Sequence, residues 1–218
     1  MIKAVVFDCD GVMFDSKEAN RAFYDHILRE FGRGGMTEDQ LSYVHMHTVD
    51  ESIAYLFQGN GDLFYEANEF RTSLDYCPFL HMMNMEPGLE EFLSFLKPRY
   101  KTAISTNRTN TMGKLLEVFG LSQYFDMVVS ALDVENPKPH PESLRKIMRE
   151  LGCGPYEMVY IGDSEIDKKA AEAAGVPLVA YKNRCLQAQY HVDSFHEVIS
   201  VLEDGNNMRN AEWKRMTR

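Results

Sequence analysis

The chain has 218 residues, 23 basic and 33 acidic, for a formal net charge of −10, and 44% of it is hydrophobic. That length can bury a sizeable core, and that sign of charge disfavours a nucleic-acid partner, which needs a basic face. No apolar run approaches a membrane span, the apolar start is too short for a signal peptide, and a cytoplasmic location is expected.

The first predicted element is a buried strand. Ile2 to Phe7 is a short apolar run with β-branched residues, and it stops on Asp8, Cys9, Asp10 and Gly11. Two acids one residue apart point to opposite faces if a strand continues. Gly11 permits a turn just after Asp10, so both acids can converge at the strand end. That end of a parallel sheet is where ligands bind. Two close carboxylates repel unless a cation sits between them. Mg²⁺, a hard ion that takes carboxylates, phosphate oxygens and water, suits the pair. Chance acids at a polar strand end are the plainer alternative. Acidic surroundings raise a thiol's pKa, so Cys9 is expected as a packed, inert thiol. Cys9, Cys77, Cys153 and Cys185 form no Cys-x-x-Cys pair, which points away from zinc and from a disulfide framework.

From Lys17 to about Met85 the pattern is helical. Phe23, Ile27, Leu28 and Phe31 repeat at helical spacing and stop at Gly32. Thr37 to Gln40 resembles a capping box that opens a second helix. Asp50 is expected to cap a third helix through Leu56, and a fourth is expected from Leu63 to Asp75. Pro78 and the Met82-Met83-Asn84-Met85 run suit a linker. This stretch holds no convincing strand. Its aromatics, Tyr43, Tyr55, Phe57, Phe64, Tyr65 and Phe70, are expected as core. His45 and His47 lie two apart on a helix and face apart, so they do not suggest a metal pair.

Strand and helix then alternate. Helices are expected at 88–96, 109–119, 141–151, 166–174 and 194–202, and strands at 100–104, 127–130, 158–161 and 177–180. Such alternation predicts an α/β fold, a parallel sheet with right-handed crossovers and helices on both faces. Gly205 to Arg218 reads as a polar tail with a lone Trp213, frayed or docked on a neighbour.

Three more polar clusters join the first. Ser105-Thr106-Asn107 follows a strand and offers short donors for a phosphate oxygen, although such residues also cap helices. Lys138 stands between Pro137 and Pro139, whose fixed φ stiffens the loop that aims its ammonium. In Gly162-Asp163-Ser164-Glu165-Ile166-Asp167, Asp163 follows a strand and Asp167 lies one helical turn on. All four clusters fall at one edge of the predicted sheet. Together they supply what phosphoryl transfer needs: nucleophile, acid–base, phosphate clamp and metal ligands.

Asp8-x-Asp10-Gly-Val, Ser105-Thr-Asn, Lys138-Pro and Gly162-Asp163-Ser-Glu-Ile-Asp167 resemble, in order, the four motifs of the haloacid dehalogenase superfamily. The resemblance implies a Rossmann-like core of residues 1–15 and 86–205, with a helical cap of residues 16–85 between them and a tail of residues 206–218. It implies that Asp8 attacks phosphorus and that Asp10 serves as general acid and base. It implies Mg²⁺ held by Asp8, the Asp10 carbonyl and Asp163, with Asp167 acting through water. Ser105, Thr106, Asn107 and Lys138 would bind the phosphoryl group. Arg33, in a glycine-rich loop of the insert, and Arg108, just after Asn107, are candidates to select the substrate. The activity implied is hydrolysis of a small phosphomonoester by a monomer or homodimer, with a β-phosphoglucomutase-like phosphomutase as the alternative. Asp10 argues against a dehalogenase, and the intact motifs argue against a non-catalytic module. Phosphonoacetaldehyde hydrolysis wants a cap lysine, and residues 18–86 contain none.

Overall fold

The computed structural model describes residues 1–59 and 61–207. Trp213 lies outside the described residues. A six-stranded, all-parallel sheet is built from β1 (Ala4–Phe7), β4 (Lys101–Ser105), β5 (Met127–Val129), β6 (Met158–Gly162), β7 (Leu178–Tyr181) and β8 (Tyr190–Val192). Its order is β5-β4-β1-β6-β7-β8, so β1 is central and pairs with β4 and β6. Alternate residues of a strand face opposite sides, and this sheet fills both. Val5, Phe7, Ile104, Val159, Ile161 and Val179 pack into one cluster, with α6 (Leu89–Leu96), α7 (Met112–Val118) and α10 (Phe195–Asn207) on that face. Ala4, Val6, Ala103, Met158 and Tyr160 pack into the other, under α8 (Glu142–Leu151) and α9 (Glu165–Ala174). Burial on both faces is the usual requirement of a parallel sheet, and it explains the apolar runs.

Between β1 and α6 the chain makes a short antiparallel ribbon, β2 (Phe14–Asp15) with β3 (Asn84–Met85). Helices α1 (Lys17–Glu30), α2 (Glu38–Met46), α3 (Val49–Leu56), α4 (Gly61–Ser73) and α5 (Cys77–Leu80) run from one ribbon strand to the other. They carry their own apolar cluster, including Phe23, Ile27, Leu41, Val44, Ile53 and Phe57. Thr37 and Gln40 form the expected capping box.

Four details differ from the sequence expectation, the first being β3 itself, a two-residue strand at the end of a stretch expected to hold none. The third helix is capped by Thr48 with Glu51, not by Asp50, because the Thr48 hydroxyl accepts from the Glu51 amide while the Glu51 carboxylate accepts from the Thr48 amide. α5 is a single turn with proline in its first turn, where a missing amide hydrogen costs little. β8 was not expected: it is a short edge strand, and only its last residue, Val192, is buried.

Candidate active site

The C-terminal ends of β1, β4 and β6 deliver the site. Asp8 follows β1 directly, and its amide donates to the Ile161 carbonyl of β6. The loop then turns tightly, with the Cys9 carbonyl accepting from both Met13 and Phe14 amides. Gly11 sits at φ +80°, and a Cβ there would lie 2.2 Å from a carboxylate oxygen of Asp163. Glycine is therefore required on two counts, conformation and space. Gly162 is likewise closed to a side chain, since a Cβ would lie 2.6 Å from that of Asp167.

Lys138 lies at the centre. Its Nζ donates to Asp8 Oδ1 at 2.7 Å, to Asp167 Oδ1 at 2.7 Å and to the Tyr160 hydroxyl at 3.0 Å. The loop that carries it is clasped by Asn107, whose side chain accepts from the Lys138 amide at 3.0 Å and donates to the Lys138 carbonyl at 2.9 Å. Asp167 accepts from Lys138, the Tyr160 hydroxyl, the Ser164 hydroxyl and the amides of Asp163 and Ser164. Its oxygens are thus largely occupied. Among the described residues, no donor hydrogen-bonds the Asp163 carboxylate.

The charges in this cluster do not balance. Carboxylate oxygens of Asp8, Asp163 and Asp167 all lie within 4.8 Å of one another, with one buried ammonium among them. Burial and the Asp167 charge push the Asp8 carboxyl up to about 7. Burial and the same neighbour raise Asp163 well above the carboxylate range. Burial also opposes ionisation of Asp167, but Lys138 and its hydrogen bonds outweigh that and hold it low. Burial disfavours the Lys138 charge, yet the two carboxylates raise its pKa. Two hard oxygen donors, one of them without a partner, in an overly negative pocket fit a small divalent cation.

Asp10 faces a different partner. Arg108 grips it as a fork, Nε to Oδ2 and Nη2 to Oδ1, both at 2.7 Å, and the Ser16 hydroxyl donates to the same carboxylate. Burial opposes the Asp10 charge, but Arg108 wins and lowers its pKa. The Arg108 guanidinium also lies 5.5 Å from the Tyr76 ring centroid. Tyr76 donates to Asn20, which in turn bonds His45 Nδ1 at 3.1 Å. Burial lowers the His45 pKa, although Asp10 opposes the shift.

Asp8, Asp10, Thr106, Asn107, Arg108, Lys138 and Asp163 all line one cavity of about 490 Å³. Three anticipated residues stand outside it: Asp167, fully buried behind Lys138, and Ser105 and Arg33. The buried Ser105 hydroxyl donates to Ser143 Oγ at 2.8 Å, on the α8 side of the sheet, so of the two residues it is Thr106 that lines the cavity. Strand alternation explains the swap, because neighbouring residues at a strand end point opposite ways. Arg33 donates to the Leu56 carbonyl at 2.7 Å and stacks 4.7 Å over Phe57, so it braces the insert.

Residues 5–181 match the haloacid dehalogenase-like hydrolase family. The chain belongs to that family. A solved haloacid dehalogenase-superfamily hydrolase of subfamily IA from Geobacter sulfurreducens PCA is 42% identical, with a TM-score of 0.82 over 92% of this chain and 100% of that one. Pyrophosphatase PpaX of Bacillus cereus (strain AH820) is 26% identical, covering 94% of this chain and 98% of PpaX. β-Phosphoglucomutase from Clostridium difficile shares the fold, with 21% identity and a TM-score of 0.82 over 94% of this chain and 98% of that one.

Four side chains of this haloacid dehalogenase-like hydrolase were not singled out as site residues from its sequence. Tyr160 lies within the expected strand 158–161, and its hydroxyl reaches Lys138 and Asp167. Ser16, Asn20 and Tyr76 sit near the ends of the insert, where only folding shows that they face Asp10 and Arg108. Ser16 alone carried a sequence signal, a hydroxyl six residues beyond Asp10. His45 and His47 do line the cavity, but their Nδ1 atoms bond separately, to Asn20 and to the Tyr43 carbonyl.

Proposed function

We propose that the protein is a Mg²⁺-dependent phosphatase that hydrolyses a small phosphomonoester through a phosphoryl group carried on Asp8. One observation carries this reading: Lys138 ties Asp8 to Asp167 across 130 and 29 residues of sequence, beside an Asp163 carboxylate with no donor among the described residues. Residues 1–15 and 86–205 act as the catalytic core, and residues 16–85 as the cap that selects the substrate. The same reading takes the protein as cytoplasmic and as a monomer or homodimer, in keeping with the absence of any described helix long and apolar enough to cross a membrane.

In this proposal an Asp8 oxygen attacks phosphorus, and the P–O bond to the leaving group breaks. Asp10 gives that oxygen its proton. Asp10 then takes a proton from water, which attacks the same phosphorus, releases phosphate and restores the Asp8 carboxylate. Thr106 and Lys138 hold the phosphoryl oxygens, and Asn107 fixes Lys138. Asp8, the Asp10 carbonyl and Asp163 would hold Mg²⁺, with Asp167 acting through water. The ion would offset carboxylate repulsion and the charge spreading over the phosphoryl oxygens.

Asp10 cannot donate a proton while Arg108 holds it ionised. An anionic substrate is the natural competitor for that guanidinium, which supports Arg108 as a substrate-selecting residue. Phe23, Tyr24, Val44 and Leu80 line the same cavity, and this apolar wall favours an organic leaving group over pyrophosphate.

The test is phosphate release across phosphoglycolate, sugar phosphates, nucleotides, p-nitrophenyl phosphate and inorganic pyrophosphate, with and without Mg²⁺. Mg²⁺-dependent release from a monoester, abolished in Asp8→Asn, is expected. Isomerised sugar phosphate in place of free phosphate would establish a mutase, and full activity in Asp8→Asn would refute the nucleophile.

A further inference from the structure

Asp163 is aimed by its backbone alone. Among the described residues no donor holds its carboxylate, while its amide donates to Asp167 Oδ2 at 3.3 Å and its carbonyl accepts from Asn183 Nδ2 at 2.7 Å. Asn183 cannot turn freely, because its Oδ1 accepts from the amides of Cys185 and Leu186 at 3.1 and 3.2 Å. The residue before it, Lys182, has φ +50° and is the sole described non-glycine residue with positive φ. A lysine in the left-handed region is uncommon, and such a conformation persists only where its surroundings hold it. Here two bonds do so. The Lys182 amide donates to the Val192 carbonyl at 2.8 Å, and its Nζ pairs with the buried Glu86 carboxylate at 2.5 Å. Glu86 directly follows β3, and its amide donates to the Met13 carbonyl at 2.9 Å in the loop after Asp10.

We propose that Lys182 and Asn183 form a strut that positions Asp163 for the metal by fixing the Asp163 carbonyl against the ribbon joining the insert to the core. Lys182 and Asn183 touch no reacting atom in this scheme; they are positioning residues. The strut rests on Asp163 being a metal ligand, as proposed above. Partners that orient a ligating carboxylate typically change metal affinity tenfold or more when removed. A purely structural turn would lower thermal stability and leave metal affinity alone.

The experiment titrates Mn²⁺ into the purified protein and follows free Mn²⁺ by electron paramagnetic resonance, with no substrate present. Asn183→Ser keeps a short acceptor for the turn amides but cannot span to the Asp163 carbonyl. Lys182→Gly accepts positive φ without strain and removes the tether to Glu86. The expected result is roughly tenfold weaker Mn²⁺ binding in Asn183→Ser and a smaller weakening in Lys182→Gly, in proteins whose metal-free melting stays cooperative. In turnover assays the Mg²⁺ concentration for half-maximal rate rises, and kcat at saturating Mg²⁺ recovers. Wild-type Mn²⁺ affinity in either variant overturns the strut. Asp163→Asn separates the two levels: if it binds Mn²⁺ normally, the metal site itself is misassigned, and if it alone fails to bind, only the strut falls.

Discussion

The core side and the insert side of the cavity are built to different tolerances. On the core side, Lys138 bonds three partners and Asp167 accepts five hydrogen bonds, four of them from backbone amides or buried side chains and one from the Ser164 hydroxyl. On the insert side, the His45 side chain has one hydrogen bond among the described residues, to Asn20, and Asp50 and Arg71 form a pair in which Asp50 is well exposed. The first arrangement fixes charges where a phosphoryl group would sit. The second leaves side chains free to suit a leaving group. Under the proposed function, the sheet would set the chemistry, and the insert would shape the leaving-group side of the cavity together with Arg108 of the core.

Breaking the core side should have the largest consequence. Lys138→Met leaves Asp8 and Asp167 buried without their cation, a loss of about 3–5 kcal/mol in stability. Urea melts should report that loss, with phosphate release falling at least about 1,000-fold. A variant as stable as wild type would mean that the carboxylates were already neutral.

Arg108→Ala and Arg33→Ala sharpen the contrast. Loss of the Asp10 fork is expected to reduce kcat/KM about 10- to 100-fold, and more for substrates with an anionic leaving group than for p-nitrophenyl phosphate. Arg33→Ala should leave kcat/KM unchanged and lower stability by about 1–2 kcal/mol. Reversal of that order would move substrate selection back to the glycine-rich loop.

A smaller effect follows from pH. The Asp8 carboxyl is raised from 3.8 to about 7 in the metal-free fold. The native state then binds the extra proton, so stability falls as pH rises from about 4 to about 7. Thermal melts with a chelator should show that decline, and Mg²⁺ or the Asp8→Asn substitution should flatten it. Equal slopes with and without Mg²⁺ would contradict the charge imbalance.

Much of this was legible in the sequence, for a physical reason. Strand ends are fixed by apolar runs, so Asp8, Lys138 and Asp163 could be placed at one sheet edge without coordinates. Ser105 was misplaced because one residue of strand register decides which hydroxyl faces the cavity. Arg33 was misplaced because a loop's composition does not reveal that the Leu56 carbonyl and Phe57 ring lie within reach. Tyr160 was hidden by its strand: an apolar ring with a polar tip reads as core. Lys182 and Asn183 carry no motif; only a backbone angle and the hydrogen bonds around it expose them.

The most direct measurement is peptide mass mapping of enzyme quenched in acid during turnover of p-nitrophenyl phosphate with Mg²⁺. A phosphoryl group on the peptide containing Asp8, absent in Asp8→Asn, is the predicted result. Turnover with the label on another residue, or with no phosphoryl-enzyme at any quench time, would contradict it.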